Sequence, residues 1–318
     1  MRKNRKIRPK MMLVFMIFNL VFSVILFPFT VLWGPFEATK TLAVGSILSS
    51  RHPQVVKAFL SDEEISEIVN KYDSAATPCP TWHTVSDAST GITIEDINAK
   101  AFKGKVMLIK DPKRIKVAVT KELEVRGERV SDFVKDTGAI AGINGGGFYD
   151  PNGAGNGGFP DGLTIHNGEI VHNSIGDKST DIVALDKEGK LIVGQIKADD
   201  VKKKNIQEGV SFWPALIKDG KRGEFQDSFW GVAPRTAIGQ KADGTIILVV
   251  IDGRQPTWSW GAKMSDLYNL FRDYDAVDAA NLDGGSSTEL FYNGKVINKL
   301  WNWAGERYLP TAFVVMPE

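Results

Sequence analysis

Apolar and polar positions divide the chain into three kinds of stretch. Met11 to Trp33 is an uncharged, mainly apolar run of 23 residues, long enough as a helix to cross roughly 30 Å of hydrocarbon. Ser61-Asp62-Glu63-Glu64 followed by Ile65, Ile68 and Val69 has a capping residue, acids in the first turn and helical apolar spacing, which predicts a short helix. From Ile92 onward the pattern turns strand-like. Lys105 to Lys110 and Arg114 to Thr120 are strand-like runs separated by Asp111-Pro112-Lys113, which reads as a hairpin. Asn167-Gly168, Glu188-Gly189, Asp219-Gly220, Asp243-Gly244 and Asn293-Gly294 each stand between apolar runs, as hairpin turns do.

Two helices interrupt this antiparallel habit. Val130 to Asp136 precedes the apolar run Ala139 to Ile143. Ser265 to Asp275, with Ser265 as N-cap and Leu267, Leu270 and Phe271 on one face, precedes Ala276 to Ala280. Helix, strand and glycine loop thus occur in that order twice. The expected fold is α+β, a mixed, largely antiparallel sheet with flanking helices, preceded by an N-terminal transmembrane helix. The expected divisions are 1–10, a basic cytoplasmic segment; 11–33, the anchor; 34–91, a stalk with short helices; and 92–318, the functional domain.

Charge refines the picture at one end only. A net charge of +1 offers no field for nucleic acid. Arg2, Lys3, Arg5, Lys6, Arg8 and Lys10, however, crowd the residues before the apolar run, which places that end in the cytoplasm and everything after Trp33 outside. The resulting localisation is a single-pass membrane protein with an extracellular C-terminal domain. A cleaved signal peptide is the competing reading, but Val31 to Phe36 lacks a small-x-small cleavage site. Cys79 is the single cysteine and makes neither an internal disulfide nor a thiolate metal cluster.

Candidate chemistry concentrates in two loops of one grammar. Asn144-Gly145-Gly146-Gly147-Phe148 and Asn281-Leu282-Asp283-Gly284-Gly285-Ser286 each deliver an Asn at the end of an apolar run and then break into glycines, which let backbone N–H groups approach a ligand. Between them, Pro234-Arg235-Thr236 sets an arginine fork at the start of a hairpin, suited to phosphate or carboxylate oxygens. In an extended strand Asn281 and Asp283 face the same side.

Ser286 and Ser287 invite a serine-hydrolase reading, but no Gly-x-Ser-x-Gly elbow frames them, and neither His166 nor His172 is assignable as base. Asp150, Asn152, Asn156 and Asp161 are spaced loosely like a calcium loop, without the ligand expected at position 154, so no metal or other cofactor is expected. Trp258, Trp260, Trp301 and Trp303 either pack or stack on sugar faces.

The combination of Asn-Gly-Gly-Gly-Phe, Pro-Arg-Thr-Ala-Ile-Gly and Asn-Leu-Asp-Gly-Gly-Ser-Ser-Thr, with Pro310-Thr311-Ala312 near the end, resembles the phosphodiester glycosidase family. The resemblance runs from about Ile92 to Pro317. It implies hydrolysis of the bond between an anomeric carbon and a phosphodiester oxygen, on N-acetylglucosamine in the animal enzyme, and a link to exopolysaccharide in the bacterial members. It carries over Asn144, Gly145 and Gly146, then Arg235, then Asn281, Asp283, Gly284 and Gly285, with Ser286 beside them, as site residues.

Such a reaction needs a carboxylate near the anomeric carbon and donors near the phosphate. Asp283 is the leading carboxylate, with Glu289, Asp252 and Asp150 as second choices. The expected partners are a glycosyl-phosphodiester or cell-wall or exopolysaccharide glycan, and a membrane through residues 11–33. The alternative is a non-catalytic surface module that binds anionic glycan or peptidoglycan, which would keep Arg235 and the tryptophans without requiring Asp283.

Overall fold

The computed structural model describes residues 9–48, 54–73, 81–87, 90–151, 155–255 and 257–318. Cys79, Asn152 and the basic residues before position 9 lie outside them.

Helix α1 (Pro9–Trp33) carries Pro28 inside it and exposes nearly all of its apolar side chains, so in length and composition it fits a single-pass membrane anchor or a signal sequence. Within the stretch read as a stalk, α2 (Glu37–Leu48), α3 (Gln54–Lys57) and α4 (Asp62–Asp73) gather around Val44, Val56, Leu60 and Ile65. The expected cap of α4 is present, with Ser61 Oγ accepting from Glu64 N at 3.2 Å and Glu64 Oε2 accepting from Ser61 N at 2.8 Å.

The rest is α+β, built on three sheets in which every strand pairing among the described residues is antiparallel. The largest sheet runs, edge to edge, β1 (Thr81–Asp87), β2 (Ile92–Asn98), β3 (Lys103–Ile109), β14 (Ile246–Ile251), β13 (Arg235–Lys241), β15 (Ala276–Leu282), β11 (Ala215–Lys218) and β12 (Lys221–Arg222). It therefore takes in β1, ahead of the expected boundary at Ile92. The second runs β17 (Lys295–Val296), β16 (Leu290–Tyr292), β5 (Ala141–Asn144), β18 (Thr311–Val315) and β4 (Ile115–Val119). The third runs β7 (Glu169–Asn173), β6 (Leu163–His166), β10 (Ile206–Ser211), β8 (Thr180–Asp186) and β9 (Leu191–Ile196).

All five expected dipeptides turn hairpins. Asn167, Asp219 and Asn293 sit at φ of 51, 49 and 47°, each followed by a glycine that is also left-handed, the geometry a two-residue turn requires. One expected pairing is corrected: β3 and β4 do not form a hairpin. Asp111 caps a short 3-10 turn over Pro112–Arg114 that carries the chain from the first sheet into the second.

Strand β14 reads as an unbroken apolar run because both its faces are covered. Ile246, Leu248 and Val250 meet Ile143, Val117 and Phe313 of the second sheet and Val183 and Leu191 of the third. On the opposite face, Ile247, Val249 and Ile251 pack under Leu267, Leu270 and Phe271 of α8 (Met264–Asp273). Burying each of those three helix side chains contributes about 1.5–3 kcal/mol. Ser265 is not the cap of α8: the N-cap is Lys263, whose N–H is held by Asp266, while Ser265 donates to Asp227. Helix α5 (Val130–Thr137) covers the second sheet, and the short α7 (Asp227–Trp230) joins α8 to α2 and α4.

Register then gathers the chemistry. Arg235 pairs with Ile251, Thr236 with Leu282, and Ile251 with Gly104, so the loops after β14 and β15, the start of β13 and the start of β3 lie at one end of the large sheet.

Candidate active site

Asn144, the last residue of β5, is fully buried and joins all three motifs. Its Oδ1 accepts from Thr236 Oγ1 at 2.7 Å and from Glu289 N at 3.2 Å, and its Nδ2 donates to the Asp283 carbonyl at 2.5 Å. The loops themselves touch, because Asp283 N donates to Gly145 O at 3.3 Å and Gly285 N to Pro234 O at 2.9 Å. Two motifs lying over a hundred residues apart in the chain thus form one floor.

The first glycine loop is packed against protein. A Cβ on Gly145 would lie 2.5 Å from Thr311 Oγ1, one on Gly146 2.8 Å from Ser211 O, and one on Gly147 3.3 Å from the Phe212 ring. The second loop opens towards cations. Gly284 passes so near Pro234 O that a Cβ would sit 2.8 Å from it, whereas Gly285, at φ +63°, faces the Arg254 guanidinium, 3.4 Å from where its Cβ would be.

Arg307 closes the other side. Its Nη1 donates to Ser286 Oγ at 3.1 Å and Ser287 Oγ at 3.3 Å, its Nη2 is paired with Asp150, and its guanidinium lies 4.7 Å from the Phe148 ring centroid. Two arginines therefore flank Gly284 to Ser287, with Asp283 at the root of the loop. The Glu128 and Leu309 backbones bond each other at 2.8 and 2.9 Å and pin the segment that delivers Arg307.

Several expected contacts are corrected by this geometry. Arg235 is buried, with Nε on Ala262 O at 3.1 Å and Nη2 on Trp230 O at 2.5 Å and Gly231 O at 2.7 Å, so carbonyls of the frame take that side of its fork where an open anion site was expected. Asn144 is buried among protein partners instead of facing a ligand. Asn281 shares a face of β15 with Asp283, as expected; it is buried, donates to Trp213 O at 3.1 Å, and its Oδ1 has no hydrogen-bond partner among the described residues.

Asp150 accepts from Gly155 N at 2.7 Å and pairs with Arg307, so its charge is answered by an arginine where a calcium site would need it for the ion. No group of three or more His, Cys, Asp or Glu side chains is gathered as a metal site among the described residues. His166 and His172 bond Glu208 and Glu124, and the Ser286 and Ser287 hydroxyls accept from Arg307, so among the described residues no histidine is hydrogen-bonded to either serine.

The remaining carboxyls differ in state. Glu289 is buried, and that burial, followed by a hydrogen bond and repulsion from Glu306, pushes its pKa up to about 10. Burial also acts upward on Glu306, but hydrogen bonds from Glu289 and from the Ser131 N–H and hydroxyl, at 2.9 and 2.7 Å, outweigh it and hold Glu306 below the ordinary value. At neutral pH the pair carries one proton, on Glu289. Asp252 lies beyond Gly253 and Arg254, buried beneath Trp258, whose Nε1 donates to Asp252 Oδ2 at 2.7 Å. The other expected tryptophans sit outside the loops, with Trp260 43% and Trp303 97% exposed.

Sequence reasoning missed Arg307 and left Arg254 aside. Arg254 had a readable signal, a cation after a glycine at the end of an apolar run. Arg307 lies in the aperiodic Gly305-Glu306-Arg307-Tyr308, whose only hint was the neighbouring Pro310-Thr311-Ala312.

Against known proteins, a family model described as phosphodiester glycosidase matches residues 137–316. The SPbeta prophage-derived uncharacterized protein YomE of Bacillus subtilis (strain 168) is 30% identical over 128 residues, covering 39% of this chain and 20% of its own length; the chain thus spans about a fifth of that relative. The catalytic domain of zebrafish N-acetylglucosamine-1-phosphodiester alpha-N-acetylglucosaminidase, auto-inhibited by its pro-peptide, superposes with a TM-score of 0.59 at 20% identity, over 77% of this chain and 86% of that one. A putative exported protein from Burkholderia pseudomallei K96243 gives 0.54 at 18% identity over 69% and 75%, and a hypothetical protein from Synechocystis 0.55 at 15% over 76% and 64%. These structures share the fold.

Proposed function

The chain belongs to the phosphodiester glycosidase family, and on that premise we propose that it hydrolyses a sugar 1-phosphodiester in a cell-surface or extracellular glycan. The observation that carries the reading is the pair of arginines, Arg254 and Arg307, flanking the Gly284–Ser287 loop above Asp283.

In this reaction the bond between the anomeric carbon and the phosphate oxygen breaks, and its electron pair leaves on that oxygen. Water supplies the new anomeric hydroxyl, and the products are free sugar and a phosphomonoester. A phosphate whose second pKa is about 6 departs without strong general-acid help, so cationic donors at the leaving group matter more than a proton there. Arg254 and Arg307 would hold that phosphate. Asp283 would offset positive charge developing at the anomeric carbon and receive the proton of the attacking water. Glu289, kept protonated, suits neither nucleophile nor base, and its place is behind the loop through its backbone bond to Asn144.

The sugar is proposed to be N-acetylglucosamine or a close analogue, since the zebrafish neighbour is named for that phosphodiester. An exposed aromatic face beside Asn281, formed by Trp213 and Phe229 with Trp230, would receive the ring. Helix α1 would hold the domain outside the membrane. The test is to incubate the full chain with glycosyl-phosphodiesters of several sugars and follow free sugar. Release from at least one supports the reaction; binding without release from any supports a non-catalytic glycan-binding module.

A further inference from the structure

Beside the reaction loop, at the same end of the large sheet, lies a second polar cleft of about 350 Å³, lined by Asp96, Lys103, Lys105, Asp252, Trp258 and Lys299 among others. Its wall is shared with the loop. Asn298 donates both to Asp252 Oδ1 and to Thr288 O at 3.3 Å and accepts from Leu290 N at 2.8 Å, and Gly253 separates Asp252 from Arg254.

Trp258 stands in this cleft with its Nε1 fixed on Asp252 and two ammonium groups at its ring, Lys103 Nζ at 4.2 Å and Lys299 Nζ at 5.1 Å from the centroid. Two cations brought to one indole repel each other. Among the described residues neither lysine makes an ion pair, whereas Lys105 is matched by Asp96. Asp252 also lines the cleft, but both its oxygens are engaged by Trp258 Nε1, Asn298 Nδ2 and Lys299 N, and burial raises its pKa, which weakens it as a counter-ion. An anion seated between Lys103 and Lys299 would relieve that repulsion and add charge-assisted hydrogen bonds.

We infer that the Lys103–Trp258–Lys299 cleft is a second anion subsite, which takes a phosphate of the leaving chain one repeat beyond the bond at Asp283. The substrate class is accordingly a glycan whose sugars are joined by repeated phosphodiesters. This assignment of substrate rests on the function proposed above. Direction follows from position: the aromatic face of Trp213 and Phe229 adjoins Asn281 on one side of the loop, and Arg254 leads to the lysines on the other. The sugar to be released lies towards the aromatics and the departing phosphate chain towards the cleft.

The experiment measures binding and hydrolysis by the full chain in detergent micelles, with two synthetic probes. One holds a single sugar 1-phosphodiester and the other three repeats of the same unit. The three-repeat probe should bind about tenfold more tightly at low salt, by two-site binding and counterion release, and lose most of that advantage at high salt. Lys103→Ala with Lys299→Ala should abolish the advantage and leave the single-unit probe within about twofold, while Lys299→Glu, which reverses the charge, should weaken the longer probe further than Lys299→Ala. Equal binding of both probes, no binding of either, or an advantage that survives the double substitution overturns the subsite. If length- and lysine-dependent binding holds but neither probe is cleaved, the proposed reaction fails and the anion subsite stands. If cleavage proceeds without length dependence, the subsite alone fails.

Discussion

The two Asn-glycine loops look alike in sequence and do opposite work. In the first, both ends of the Asn144 amide are occupied by Thr236, Glu289 and Asp283, and its glycines press on Thr311, Ser211 and Phe212. In the second, one end of the Asn281 amide lacks a partner among the described residues, and the glycines face Pro234 and Arg254 with Arg307 at the serines. A buried amide with every group paired fixes a fold, whereas partly used groups beside exposed backbone and cations are placed to meet a ligand. The arginines repeat the contrast: Nε and Nη2 of Arg235 are held by carbonyls of the frame, while Arg307 touches two hydroxyls that, in the proposed reaction, a substrate phosphate would displace.

The sharpest separation is expected between Asp283→Asn and Asn144→Ala. Asp283→Asn should lower turnover about a thousandfold, near 4 kcal/mol of barrier, while unfolding shifts by no more than about 1 kcal/mol. Near-normal sugar release by the folded variant would remove Asp283 from the reaction. Asn144→Ala should cost about 3 kcal/mol in urea unfolding, because buried groups of Thr236, Glu289 and Asp283 lose partners together. An Asn144→Ala protein as stable as the parent would end the distinction between the loops.

The arginines come next. Arg307→Lys keeps the charge and loses the fork, so turnover should fall about a hundredfold, or roughly 2.7 kcal/mol. Arg235→Lys should instead lower stability by about 2 kcal/mol with turnover of the folded fraction little changed, since its partners are carbonyls of the frame. If the two variants exchange these effects, Arg235 is the phosphate ligand after all.

The last effect is a pH dependence. Because the folded-state pKa of Glu289 is raised from 4.5 to about 10, the native state holds a proton the unfolded chain releases, and stability from this group falls as pH rises across that interval. Glu306, lowered, acts oppositely and only below about 4.5, where its stabilising share is lost as pH falls. Glu289→Gln should therefore flatten the decline in unfolding free energy between about pH 6 and about pH 8, by at most about 1.4 kcal/mol per unit. An unchanged slope would place the proton elsewhere.

Much of the frame was legible because its signals are local. Five turn dipeptides need only their own φ angles, Ser61 and Glu64 cap each other across three residues, and Leu267, Leu270 and Phe271 mark one helix face. What depends on distant partners was not legible. The departure of β4 into another sheet is decided by packing, the displacement of Ser265 from the cap by Asp227, and the use of Arg235 by carbonyls that no pattern announces. Arg307 meets Asp150 across 157 residues, so the cation at the serines could be found only once β18 had placed its flank.

The most direct measurement asks which bond breaks. Hydrolysis of a sugar 1-phosphodiester by the full chain in water enriched in the heavy oxygen isotope, with products resolved by mass spectrometry, follows the new oxygen. Attack at the anomeric carbon beside Asp283 puts the label in the released sugar and leaves the phosphomonoester unlabelled. Label in the phosphomonoester would mean attack at phosphorus, and would contradict a glycosidase built on Asp283 with the arginines at the leaving group.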